Sequence, residues 1–113
     1  MNIQEYQEWT RTTAKYPKGN VEFDASLPYL VMGLAGEAGE VANKYKKIIR
    51  DKSGIMDEKD VEQLGSELGD VLWYLARLCD ELDLWIDDVA EDNYQKLESR
   101  LQRGKIGGSG DDR

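Results

Sequence analysis

Residues 30–49 read LVMGLAGEAGEVANKYKKII, a run whose spacing is helical from end to end. Leu30, Leu34, Val41, Tyr45 and Ile48 recur at steps of three, four and seven, the spacing of one helical stripe. At about 100° per residue, Glu37 falls within roughly 20° of that stripe, and Glu40, Lys44 and Lys47 flank the same side. Glu37 therefore interrupts an apolar face. A carboxylate turned toward a core costs several kcal/mol unless it is paired, protonated or metal-bound.

The arrangement repeats further along. Val61, Leu64, Leu68, Val71, Leu75, Leu78 and Leu82 form a second apolar row, with Glu67 between Tyr74 and Leu78 on the wheel and Asp70 at its border. Two acidic pairs spaced by three, Glu37/Glu40 and Glu67/Asp70, thus stand at the margins of two helices. Hard oxygen donors in such a group suit Mg²⁺ or Mn²⁺.

The flanking sequence completes an all-helical expectation. Asn2 can cap a first helix running to about Tyr16, with Glu5 three residues on and Pro17 beyond. Residues 17–26 carry Pro, Gly, Asn and Asp and read as a loop. Ser26 can cap the long helix, with Pro28 tolerated in its first turn. Asp51 to Gly54 is a break, and Asp57 can cap the following helix with Asp60 at its third position. A last helix spans Ile86 to Leu101, where Asn93 sits on the apolar face with Lys96 and Arg100 beside it: either an amide and two cations for phosphate oxygens or, as the residues alone favour, an Asn bonded to a neighbouring backbone group with both cations snorkelling to water. Residues 1–103 form one helical domain. The glycine-rich residues 104–113 are either a frayed tail or a flexible cover over phosphate.

Composition removes several classes of function. The 113-residue chain is 40% hydrophobic and 34% charged, enough for one modest domain. Its net charge of −8 argues against a partner that is a nucleic-acid polymer. No apolar run suits a membrane span and no signal-peptide layout opens the chain, so a cytoplasmic protein is the expectation. With no histidine and one cysteine, Cys79, the chain lacks Ser-His and Cys-His catalysis, ordinary zinc sites and an intrachain disulfide.

Three segments carry a family resemblance: GLAGEAGEVA at 33–42, ELGDVLWYL at 67–75, and Asn93, Lys96, Leu97 and Arg100 at helical spacing. Together they resemble the MazG-like nucleotide pyrophosphohydrolases of the all-alpha NTP pyrophosphatase superfamily, in their small single-domain bacterial and phage form. The resemblance implies a helical bundle completed by oligomerisation, as a homodimer or homotetramer with active sites near subunit contacts. It also implies Mg²⁺, with Mn²⁺ as a substitute, held by Glu37, Glu40, Glu67 and Asp70, and cleavage of a nucleoside triphosphate to monophosphate and pyrophosphate. Lys44, Lys47, Asn93, Lys96 and Arg100 are then candidates for contact with substrate, and Trp9 and Tyr16 for base stacking. The fuller family pattern opens with two adjacent glutamates, whereas here Gly36 precedes Glu37. A non-enzymatic acidic adaptor would explain amphipathic helices but not acids at core margins. A carboxylate-bridged di-iron bundle would normally need Glu-x-x-His ligands, which this chain lacks.

Overall fold

The computed structural model describes residues 1–113. In chain order it contains α1 (Ile3–Thr10), a 3₁₀ turn (Arg11–Thr13), α2 (Ser26–Lys52), α3 (Glu58–Glu81) and α4 (Ile86–Gln102). There are no strands, and an isolated bridge between Gly19 and Asp24 closes the loop before α2.

Local chemistry explains most of these boundaries. The Asn2 side chain accepts from the Glu5 N–H at 2.8 Å and donates to the Glu5 carboxylate, starting α1 as expected. That helix ends near Thr10 rather than Tyr16. Thr10, Thr12 and Thr13 each donate a hydroxyl to the carbonyl three residues back, a local alternative that favours the tighter turn. Ser26 is not the cap of α2: the Asp24 carboxylate accepts from both its N–H and its hydroxyl. At α3, Asp57 and Asp60 form the reciprocal capping pair. Ser53 and Gly54 adopt left-handed backbone at φ 54° and 78°, and the Gly54 N–H returns to the Ile48 carbonyl to close α2.

The two long helices pack as an antiparallel hairpin. Gly33 lies against Tyr74, Lys44 against Glu67 and Lys52 against Asp60, so the order reverses between them. Of the α2 glycines, only Gly33 meets a close neighbour: an added Cβ there would come 2.0 Å from the Tyr74 ring, while Gly36 and Gly39 face open space. The α1 helix crosses α3, with Ile3 and Tyr6 packing on Ala76, Cys79 and Ile86. Packing of α4 is chiefly against α1.

Gln7 joins these elements. Its amide donates to the Leu84 carbonyl and accepts from the Ile86 N–H, both at 2.8 Å. A side chain of α1 thereby supplies the cap that Trp85, at the N-cap of α4, cannot. The core remains thin: 12 of 113 residues are buried, and Val31, Met32, Val61, Leu68 and Leu75 of the hairpin are exposed. The radius of gyration, 17.4 Å, exceeds the about 13 Å of a compact domain near this length. No helix is long and apolar enough to cross a membrane.

Candidate functional site

Helix periodicity builds a groove on one side of the hairpin. On α2 the positions 37, 40, 44, 47 and 51 follow one another by threes and fours, and on α3 so do 60, 63, 67, 70 and 74. Antiparallel pairing sets the two rows face to face.

Midway along, Glu37, Glu67 and Asp70 come together, each offering an oxygen within 4.8 Å of the others. Glu37 and Glu67 are half-buried and Asp70 is exposed. Glu40, grouped with them by spacing and by the family resemblance, is exposed and lies outside this trio. Its charge still reaches Glu37. Burial first, then the charges of Asp70, Glu67 and Glu40, push the Glu37 carboxyl above its ordinary range. The nearby cation is Lys44, whose Nζ is 3.5 Å from Glu67. Crowded carboxylates with so little neutralisation are suited to a hard divalent cation, for which an all-oxygen donor set is the natural one.

An aromatic cluster adjoins the acids. The Tyr74 phenol is pushed upward by burial first, then by Tyr29 and the charges of Glu37 and Asp70. Trp73 meets Tyr74 edge-on at 5.0 Å between centroids and Tyr16 at 6.2 Å, and Tyr16 stacks on Tyr29 at 5.7 Å. Burial first and then the Asp70 charge raise the Tyr6 phenol, so α1 passes close to the acids. Trp9, 47% exposed, lies 6.2 Å from the Tyr6 ring. Tyr29 and Tyr6 lie outside the motif segments, and only their positions on facing helices bring them here.

Tyr16 is mainly engaged elsewhere. Its hydroxyl donates to Glu81 and accepts from Arg77 at 3.2 Å, and the Lys18 ammonium lies 4.0 Å from its ring centroid. Arg77, buried in the middle of this network, also donates to Thr10 and to Asp80, and Asp80 receives Arg11 as well. Nothing in the local pattern around Arg77 distinguishes it from a solvated helix residue.

The α4 candidates divide. Asn93 and Lys96 are exposed and line a shallow depression with Asp88, Asp92, Leu84 and Val89. Arg100 is only 5% exposed, and its guanidinium donates to the Asp111 carbonyl. The tail curls around Arg113, which donates to the carbonyls of Ile106, Gly107 and Gly110, while Arg103 holds the Arg113 carbonyl at 2.7 Å. Lys44 and Lys47 line a cavity of about 180 Å³ adjoining the acids.

The all-helical hairpin thus brings three carboxylates together as a candidate cation site. Residues 26–104 match the MazG nucleotide pyrophosphohydrolase domain, and the chain belongs to that family. The match takes in α2, α3 and α4 with every acid of the groove. The chain is also similar to the Gene 37 protein of Mycobacterium phage L5, 48% identical over 114 residues that cover all of both chains. No solved structure matches significantly.

Proposed function

We propose that this protein is a Mg²⁺-dependent nucleoside triphosphate pyrophosphohydrolase, releasing a nucleoside monophosphate and pyrophosphate. The observation that carries this reading is the convergence of Glu37, Glu67 and Asp70 within 4.8 Å, from two helices of a MazG domain. Glu37, Glu67 and Asp70 would hold the cation, and Glu40, one turn from Glu37, would complete its acidic surroundings; a cation held there would supply neutralisation of phosphate charge and a more acidic water.

The chain's own groups do the rest. A carboxylate of the cluster accepts a proton from the attacking water, whose oxygen ends on the α phosphorus while pyrophosphate leaves. Lys44 and Lys47 offset the negative charge of the polyphosphate from α2. Trp9 offers an exposed face to a base, and Tyr16 braces the aromatic cluster behind the acids. Asn93, Lys96 and Arg100 belong to a helix that packs on α1 more than on the hairpin, which suits contact with substrate held by a second protomer. The exposed apolar residues of the hairpin support bundle completion by a second copy, in a homodimer or a tetramer of dimers, within the cytoplasm.

The test is hydrolysis of a panel of ribo- and deoxyribonucleoside triphosphates with Mg²⁺ in ¹⁸O-labelled water. Label in the monophosphate and none in pyrophosphate supports attack at the α phosphorus. Orthophosphate and a nucleoside diphosphate as primary products would refute it.

A further inference from the structure

Helices α3 and α4 each bury one arginine, and the two are held in opposite ways. Arg77 gives its guanidinium to Asp80, Glu81, Tyr16 and Thr10, so its charge is spent inside the fold. Arg100 has a single partner, the backbone carbonyl of Asp111, to which Nη2 donates. Its Nε and Nη1 find no acceptor in the chain, and neither nitrogen is sealed from solvent. The stem is therefore buried while two of the three guanidinium nitrogens stay open and the charge stays uncompensated. A buried cation is ordinarily paired within the fold. This one is left free for an anion from outside the chain.

What holds Arg100 in place is the tail. The Arg113 guanidinium donates to the carbonyls of Ile106 at 3.0 Å, Gly107 at 2.9 Å and Gly110 at 2.6 Å, which gathers residues 106–113 into a ring. Arg103 ties that ring to α4 by holding the Arg113 carbonyl at 2.7 Å, and the Lys105 N–H returns to the Arg100 carbonyl at 2.6 Å. Gly110 stands at φ 90°, a backbone that a residue with a Cβ adopts only under strain, and the Asp111 carbonyl follows directly. Contacts thus run from Arg113 through the ring to the Asp111 carbonyl, and from there to the Arg100 guanidinium.

We propose that Arg113 is a positioning residue: the ring it gathers fixes the Arg100 guanidinium with its open nitrogens presented to substrate oxygens. The contact of Arg100 with substrate rests on the hydrolysis proposed above, whereas the ring's hold on Arg100 does not.

Two measurements on the full chain test this. In steady-state kinetics, Arg113→Met and Gly110→Val should each lower kcat/KM about tenfold or more, as loss of an oriented charge-assisted contact implies. Gly110→Val opens the ring with every charge retained, which separates the ring from the charge of Arg113. The double variant Arg100→Met/Arg113→Met should be no slower than Arg100→Met alone, because both substitutions act through one guanidinium. Losses that multiply in the double variant, or a Gly110→Val enzyme with full kcat/KM, would overturn the proposal. The second measurement needs no turnover: arginines modified by phenylglyoxal are mapped by mass spectrometry, with Arg50, its side chain 63% exposed, as internal standard. Arg100 should react roughly fivefold faster in Arg113→Met than in wild type, as loss of its tether implies. Equal Arg100 reactivity in the two proteins would overturn the ring's hold, even in an active enzyme. Ring-dependent protection of Arg100 in a protein that hydrolyses no nucleotide of the panel would uphold that hold and refute the enzymatic reading alone.

Discussion

Helix α3 carries two groups of carboxylates about three turns apart, and they live under opposite electrostatic rules. Near its C-terminal end, Asp80 receives Arg11 and Arg77, and Glu81 receives Tyr16, Lys18 and Arg77. Hydrogen bonds from Arg11 hold Asp80 below its ordinary range, and the Tyr16 hydroxyl does the same for Glu81. At mid-helix, Glu67 and Asp70 meet Glu37 with Lys44 alone at ion-pair distance, and Glu37 is driven upward by burial and by its neighbours' charge. The first group is neutralised from within and holds α1 and the following loop to α3. The second is left in deficit of positive charge, a condition that a metal-dependent phosphate chemistry uses and a structural network avoids.

Breaking the neutralised group should have the largest effect. Arg77→Met leaves Asp80 and Glu81 with a missing buried partner, and loss of one member of a buried charge network costs about 3–5 kcal/mol. Thermal unfolding should show a fall in Tm of well over 10 °C. The same substitution should leave divalent-cation affinity intact in whatever protein remains folded, because Arg77 touches none of the three acids.

Asp70→Asn attacks the other group with the opposite signature. Turnover should fall by at least about a hundredfold, as removal of a charge-stabilising group typically does, with little change in Tm. A pyrophosphate-release assay beside a melting curve separates the two. Between these extremes, Gln7→Ala removes the partner of a buried N–H and a carbonyl at the start of α4, and should cost about 1–3 kcal/mol. Urea titration would measure it.

The smallest effect concerns pH. Glu37 is raised in the folded state, so its penalty is absent at low pH and sets in as pH rises through that raised value. Asp80 and Glu81 are depressed, so their stabilisation is present above the ordinary carboxylate range and is lost as pH falls through their lowered values. Glu37→Gln should therefore stabilise the metal-free protein at pH 7, with a rise in Tm smaller than the fall that Gln7→Ala produces. Below the ordinary carboxylate range that gain should vanish, and differential scanning calorimetry at two pH values tests the sign.

Much of this comparison was legible in the sequence where it depends on one helix at a time. The stripes of α2 and α3, the caps at Asn2 and Asp57, and the presence of acids on apolar margins all follow from local periodicity. What required the structure is pairing across helices. Glu37/Glu40 and Glu67/Asp70 share one spacing, yet Glu37 joins the trio and Glu40 does not. Gln7 caps a helix 79 residues away, and no local pattern announces that contact. Arg77 looks like any solvated helix cation until α1 and Tyr16 close over it. The early end of α1 had a visible cause in its three threonines, whose combined effect outweighed the apparent continuation to Tyr16.

Glu37, Glu67 and Asp70 are the proposed divalent-cation site of the protein. Titration of Mn²⁺ into the metal-free full chain, followed by calorimetry for wild type and Asp70→Asn, tests it most directly. Saturable binding in the wild type that is lost or at least about tenfold weaker in the variant is the expected result. Equal affinity in the two proteins would show that the three acids do not hold the metal.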